Sequence, residues 1–121
     1  VEHRMDLIYQ GVVDGEISLE RWVEITSTTP ARMFGLYPQK GVIAPGSDAD
    51  IVIYDPAGRT EIGFHKTHHM NMDHSAWEGV NIDGHVDTVI SRGLVVVDDN
   101  EYNGVKGRGN YLKRGLSQYL I

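Results

Sequence analysis

Gly41-Val42-Ile43-Ala44-Pro45-Gly46-Ser47-Asp48-Ala49-Asp50-Ile51-Val52-Ile53-Tyr54-Asp55 is the stretch on which the reading of the fold turns. Residues 41–43 and 49–54 are β-rich runs, and between them Pro45 and Gly46 stand where a type II turn favours them. Short strands are expected on both sides of the turn, with Asp55-Pro56 closing the second. Asp48, Asp50 and Asp55 resemble a carboxylate metal cluster only superficially. The expected roles are bonds from Asp48 and Asp50 to nearby backbone and a strand end at Asp55.

Downstream, residues 85–91 and 94–97 are two more β-branched runs joined across Arg92-Gly93, and Asp98-Asp99-Asn100 turns the chain again towards Tyr102. The pattern is a meander of short strands. Between the first strands and this hairpin, residues 63–84 are rich in His, Asn, Asp and Gly with little periodicity. They are expected to form a long ordered loop carrying a short strand at most, of the kind that is functional or lies at an interface.

Upstream the period is helical. Met5, Ile8 and Val12 fall on one face before Asp14-Gly15 interrupts the pattern. Ser18 then offers an N-cap, Glu20 lies where the helix dipole favours an acid, and Leu19, Trp22, Val23 and Thr26 share a face. Thr29-Pro30 signals a third start, with a short helix over 30–34 ending at Gly35. The tail, 107–121, is basic and then places Leu116, Tyr119 and Leu120 at near-helical spacing. Helices followed by strands make an α+β chain with a boundary near 37–41. The helical third is too short to enclose its own core, so its faces at Met5, Ile8, Leu19, Trp22 and Val23 are expected to pack on protein beyond these residues.

The 121 residues are 40% hydrophobic and 23% charged, the composition of a soluble globular piece about one domain long. The lack of cysteine rules out disulfides, thiolate nucleophiles and Cys-ligated zinc, and a cytoplasmic location fits. The longest apolar run, Leu94-Val95-Val96-Val97, is too short to span a bilayer. A net charge of -6 with acids and bases interspersed gives no footprint for nucleic acid or an anionic membrane. The opening Val1-Glu2-His3-Arg4 shows no charged-then-apolar leader and reads as a break inside a longer chain.

The spacing of Gly41, Ile43, Gly46, Asp48-Ala49-Asp50 and Asp55 resembles the signature that re-enters the small β-sandwich of the amidohydrolase superfamily after its barrel. Ser27-Thr28-Thr29-Pro30-Ala31 with Phe34-Gly35-Leu36 resembles the last helical segment of that barrel. Glu2-His3-Arg4-Met5 is similar to the segment after the final barrel strand of the cyclic amidases. His69-Met70-Asn71 with Asp73 and Trp77-Glu78-Gly79 are similar to their long sandwich loop, and Gly107, Gly109, Tyr111 and Lys113-Arg114 to their tail. The resemblance covers nearly the whole chain and is nearest to bacterial dihydropyrimidinases and D-hydantoinases.

The resemblance implies an α+β fragment: terminal helices of a (β/α)8 metal-dependent hydrolase barrel at 1–38, the C-terminal part of a small antiparallel β-sandwich at 39–106, and a tail at 107–121 making a subunit contact. It implies a zinc-dependent hydrolase that opens dihydropyrimidine or hydantoin rings to N-carbamoyl amino acids. In the family it resembles, two zinc ions bridged by a carboxylated lysine and a hydroxide polarise the cyclic amide, and an aspartate shuttles the proton. By the same resemblance those ligands, and an asparagine that contacts the substrate ring, are expected upstream of Val1. No catalytic, cofactor-binding or metal residue therefore carries over, and these residues alone are expected to be inactive. The implied partners are the N-terminal barrel and sandwich strands of the same protein, a cyclic amide substrate and other subunits of a tetramer. With those strands missing, one sheet edge is expected to be unpaired and to promote assembly between chains. Two other classes compete: a dihydropyrimidinase-like scaffold that keeps the fold without the metals, and a free-standing His-rich metal binder.

Several side chains can be read in two ways. His65, His68, His69 and His74 invite a metal site, but adjacent imidazoles in an extended segment point opposite ways, so a hydrogen-bonded loop or interface cluster is expected. Glu2 and Arg4 either brace the mouth of the implied active site or form an ordinary exposed charge pair. Trp77, Tyr111 and Leu120, with Lys113 and Arg114, are the candidates for subunit contact.

Overall fold

The computed structural model describes residues 2–64, 66, 67, 69 and 71–120. Helix α1, Arg4–Val13, stops at Asp14-Gly15 as the sequence indicates. Helix α2, Leu19–Val23, is capped by Ser18, whose hydroxyl accepts the Arg21 backbone N–H at 3.2 Å. It continues through a wide π-turn, Glu24–Thr28, into α3, Thr29–Met33.

The expected fresh start at Thr29 is therefore corrected. Thr28 and Thr29 both have helical dihedrals, and no side-chain cap precedes α3. Pro30 lies within a continuous helix, where it lacks an N–H and its ring opposes the carbonyl four residues back. The π-turn widens the backbone at that point, and Thr26 Oγ1 donates to the Trp22 carbonyl at 2.7 Å, a back-bond that bends helices. Gly35, at φ 67°, ends the run as expected.

The sheet has four antiparallel strands in the order β1-β2-β3-β4: Ile51–Glu61, Asn81–Ser91, Leu94–Asp98 and Glu101–Tyr102. Two-residue turns with positive φ at both positions, Arg92-Gly93 and Asp99-Asn100, join the last three strands. That backbone twist matches the twist of antiparallel strands. Asp55-Pro56 does not end β1. The ladder breaks between Asp55 and Arg59 and resumes to Glu61, because a bulge on an edge strand tolerates a residue with no N–H.

Residues 41–43 are not a strand. Gly41 has φ 82°, and its carbonyl accepts from Thr28 Oγ1 at 2.8 Å, so the segment bonds to the helical side instead of a ladder. The Pro45-Gly46 turn forms, closed by Ser47 N–H to the Ala44 carbonyl at 3.1 Å. Asp48 and Asp50 are not held by local backbone alone. Both carboxylates meet Lys40 Nζ, and Asp50 Oδ1 accepts the Arg92 N–H at 2.7 Å, which ties this turn to the β2–β3 hairpin. Among the described residues, the outer edge of β1 has no strand partner.

The helices pack on this chain's own sheet, which corrects the expectation for Trp22. Tyr9, Trp22 and Tyr54 form a ring cluster with centroids 4.7 to 5.2 Å apart, and Tyr9 and Trp22 are buried. Such aromatic pairs add about 0.5–1.5 kcal/mol each beyond area burial. Gly84, at φ 80°, admits the Tyr54 ring: a Cβ there would meet the ring at 2.7 Å. The Gln10 side-chain amide both donates to and accepts from the backbone of Asp83, at 2.9 and 3.0 Å, and so fastens α1 to β2. The buried side of α1 is accordingly Asp6 and Tyr9, with Met5, Ile8 and Val12 half-buried, while Leu19 and Val23 of α2 remain exposed.

The long loop between β1 and β2 is closed at its stem by Ile62, fully buried, through paired backbone bonds with Val80 and Gly79 at 2.8 Å. The tail forms no helix among its described residues. Its glycines interrupt the apolar spacing, and it runs back along α3, with Gly115 N–H to the Gly35 carbonyl at 2.9 Å and Gln118 N–H to the Arg32 carbonyl at 3.0 Å. No helix among the described residues is long and apolar enough to cross a membrane.

Candidate functional site

Where α1 meets the sheet, a cavity of about 360 Å³ opens between the start of the helix, the long loop and the β3–β4 turn. Val52, Val86, Val89 and Val97 form its apolar floor, and Glu2, His3, Asp6, Thr67, His69 and His85 form its polar rim. The helix contributes Asp6 one turn before Tyr9, so the packing that buries the tyrosine also buries the carboxyl.

Asp6 is 8% exposed, and its Oδ1 has no hydrogen-bond partner of standard geometry among the described residues. Burial pushes its carboxyl up to about 6, against the opposing pull of the Tyr54 hydroxyl and the His85 ring. Burial also raises the Tyr54 phenol, and the Asp6 charge adds to that shift. A carboxyl in this state exchanges its proton close to neutral pH. His3, also buried, places Nε2 2.8 Å from Thr67 Oγ1.

The residues singled out from the sequence separate. His69 lies on the cavity rim, its Nδ1 against the Glu2 carboxylate and its Nε2 2.8 Å from the Asn100 carbonyl. Glu2 is thus engaged with His69, and no ion pair links it to Arg4 among the described residues. Arg4 is exposed beside a second hollow shared with His3, Leu7, Ile8 and Trp77. His74 is exposed and is paired with its neighbour Asp73, at 2.6 Å. His65 and His68 lie outside the described residues. Tyr111, Lys113 and Arg114 flank a shallow groove beside Met33 and Phe34, with Tyr111 92% exposed and Leu120 75% exposed.

The described donors do not fit the two zinc ions that the resemblance implies. No three His, Cys, Asp or Glu side chains converge among the described residues, and both ring nitrogens of His69 already have partners. Sequence reasoning missed Asp6, His3, His85 and Asn100. Asp6 sits three residues before Tyr9 on α1 and so carried a helical-face signal. The turn at Asn100 is legible locally, but His85 and Asn100 reach the cavity only through strand register and tertiary packing, for which no local signal exists.

Comparison with known proteins places this geometry in a larger frame. Residues 1–96 match the amidohydrolase family model. The chain is 59% identical over 120 residues to a D-hydantoinase of Streptomyces coelicolor, covering 99% of this chain and 26% of that protein. It is 50% identical over 115 residues to a D-phenylhydantoinase of Escherichia coli, covering 94% of this chain and 25% of that one. Among solved structures, a D-hydantoinase (dihydropyrimidinase) from Thermus sp. superposes with a TM-score of 0.89 at 45% identity, over 96% of this chain and 25% of that one. The dihydropyrimidinase of Brevibacillus agri superposes with a TM-score of 0.88 at 47% identity, over 94% of this chain and 24% of its own. The chain therefore spans about a quarter of the length of these relatives. With the family model matching across the helices and most of the sheet, the chain belongs to the amidohydrolase family.

Proposed function

We propose that this chain is the C-terminal supporting part of a cyclic-amide hydrolase that opens hydantoin or dihydropyrimidine rings to N-carbamoyl amino acids. The observation that carries the reading is the 59% identity to a D-hydantoinase, sustained over 99% of the chain. On this reading residues 1–38 close the catalytic barrel, 39–106 belong to the small β-sandwich, and 107–121 reach a neighbouring subunit. Two zinc ions sit on residues outside this chain, and the residues present here contribute no step of the reaction. Trp77, Tyr111, Lys113, Arg114 and Leu120 are the subunit contacts. The exposure of Tyr111 and Leu120 supports that role, because large apolar side chains left in solvent are favoured anchors when a partner covers them.

The test is ring opening by the full-length protein that carries this chain, assayed with hydantoin and dihydrouracil alongside metal analysis. Hydrolysis that falls with chelation and returns with zinc is the expected result. A folded, metal-free full-length protein that opens neither ring with added zinc would replace this reading with the scaffold one.

A further inference from the structure

His69 has a hydrogen-bonding demand that only one ionisation state meets. Its Nε2 faces a backbone carbonyl, that of Asn100 at 2.8 Å, and its Nδ1 faces the Glu2 carboxylate. Both partners are acceptors, so both ring nitrogens must carry hydrogen. The Glu2 carboxylate also receives the His69 backbone N–H, at 3.0 and 3.2 Å to its two oxygens. The pair is largely shielded, at 24% and 20% side-chain exposure.

We propose that His69, held as an imidazolium, is a positioning residue that fixes the segment leading into α1 against the long loop and the β3–β4 turn. The contact joins three parts of the chain that are remote in sequence. A second stitch, His3 to Thr67, runs parallel to it, and the Asn100 side chain donates to the Lys66 carbonyl at 2.9 Å. Residues 2–3 are thereby tied to 67–69, and 66 and 69 are tied to 100. Among the described residues, the titratable groups that line the cavity with His69 are Glu2, His3 and Asp6 at the start of α1 and His85 on β2, and the Tyr102 ring centroid is 6.4 Å away. The Asn100 carbonyl, and after it Glu2, raise the His69 pKa against the opposing effect of burial. The clamp is therefore closed below the ordinary histidine range and opens as pH rises through the raised value.

The consequence for catalysis rests on the proposed hydrolase reading, in which residues 2–4 follow the last barrel strand. The test uses the full-length protein labelled with 15N-histidine. The His69 signals, assigned by their loss in His69→Gln, are expected to show two protonated ring nitrogens at pH 6 and to titrate above free histidine. Amide exchange over residues 2–10 is expected to quicken about tenfold in His69→Gln, which keeps donors on one side only. His69→Arg, which donates on several sides and stays charged, is expected to recover part of that loss. A neutral ring at pH 6, or unchanged exchange in both His69→Gln and His69→Asn, would overturn the clamp. If the wild-type full-length protein opens no cyclic amide, the hydrolase reading fails while the ring signals and the exchange still judge the clamp. If it does open them, kcat is expected to fall in His69→Gln and to track the His69 titration in the wild type, and a kcat that does neither overturns the positioning role.

Discussion

The contact between the helices and the sheet and the contact between the tail and α3 are built from opposite materials. The first buries Tyr9 and Trp22 against Tyr54 and satisfies the β2 backbone through Gln10. The second is a run of backbone hydrogen bonds, Gly115 to Gly35 and Gln118 to Arg32, with Leu116 and Leu120 left in solvent. Apolar burial scales with area and holds through the whole fold, whereas exposed backbone bonds contribute little net stability and open locally. The helix–sheet contact is therefore expected to set global stability, and the stretch of tail beside α3 to open locally before the rest unfolds.

Breaking the first contact has the largest expected effect. Trp22→Ala removes the central ring and the Nε1 bond to the Met5 carbonyl, and is expected to cost about 3–5 kcal/mol in chemical denaturation. A loss below about 1 kcal/mol would show that the cluster does not hold the helices to the sheet. Gly35→Ala attacks the second contact. Residue 35 has φ 67°, and an added Cβ would collide with the Gly115 carbonyl. The left-handed backbone alone costs about 1–2 kcal/mol, and proteolytic cleavage within 107–120 should accelerate more than cleavage elsewhere. Uniform acceleration would mean that the two contacts are one cooperative unit.

Asp6→Asn sharpens the comparison from inside the packed contact. The folded carboxyl is raised from 3.8 to about 6, so the native state binds its proton more tightly than the unfolded chain does. Its contribution to stability is most favourable at low pH and declines as pH rises from about 4 to about 6. The asparagine variant is expected to lose that slope and to gain on the order of 1 kcal/mol at pH 7, measured by denaturation across the pH range. An unchanged slope would place the titration elsewhere. The smallest effect is expected from Lys40→Met, which removes a surface pair with Asp48 and Asp50. It should leave the denaturation midpoint nearly unchanged while loosening amide protection at Arg92.

Much of this molecule is legible residue by residue. Ser18 marks a helix start, Arg92-Gly93 and Asp98-Asp99-Asn100 mark turns, and the β-branched runs mark strands, because each depends on dihedral preferences that a few adjacent residues set. The misreadings share a cause. Thr29-Pro30 reads as a start and Asp55-Pro56 as a stop, yet a π-turn and an edge bulge absorb both prolines, and neither device has a local signature. The short run at 41–43 looks like a strand, but a ladder needs a partner, and its backbone found Thr28 instead. A smaller part of the candidate site was visible in the same limited sense: Glu2 and His69 stood out singly, while His3, Asp6, His85 and Asn100 did not.

The order of local conformations, the lack of thiol chemistry and the resemblance to cyclic amidases were thus settled by the chain of residues alone, since turn chemistry, side-chain periodicity and composition are local or additive. Which face of α1 is buried, why a carboxyl sits near neutrality beneath Tyr54, and how residues 2, 69 and 100 come to share one imidazole belong to the tertiary structure. Those properties arise from groups far apart in sequence meeting where water is excluded. Burial and charge proximity are set by packing, and no stretch of neighbouring residues encodes them.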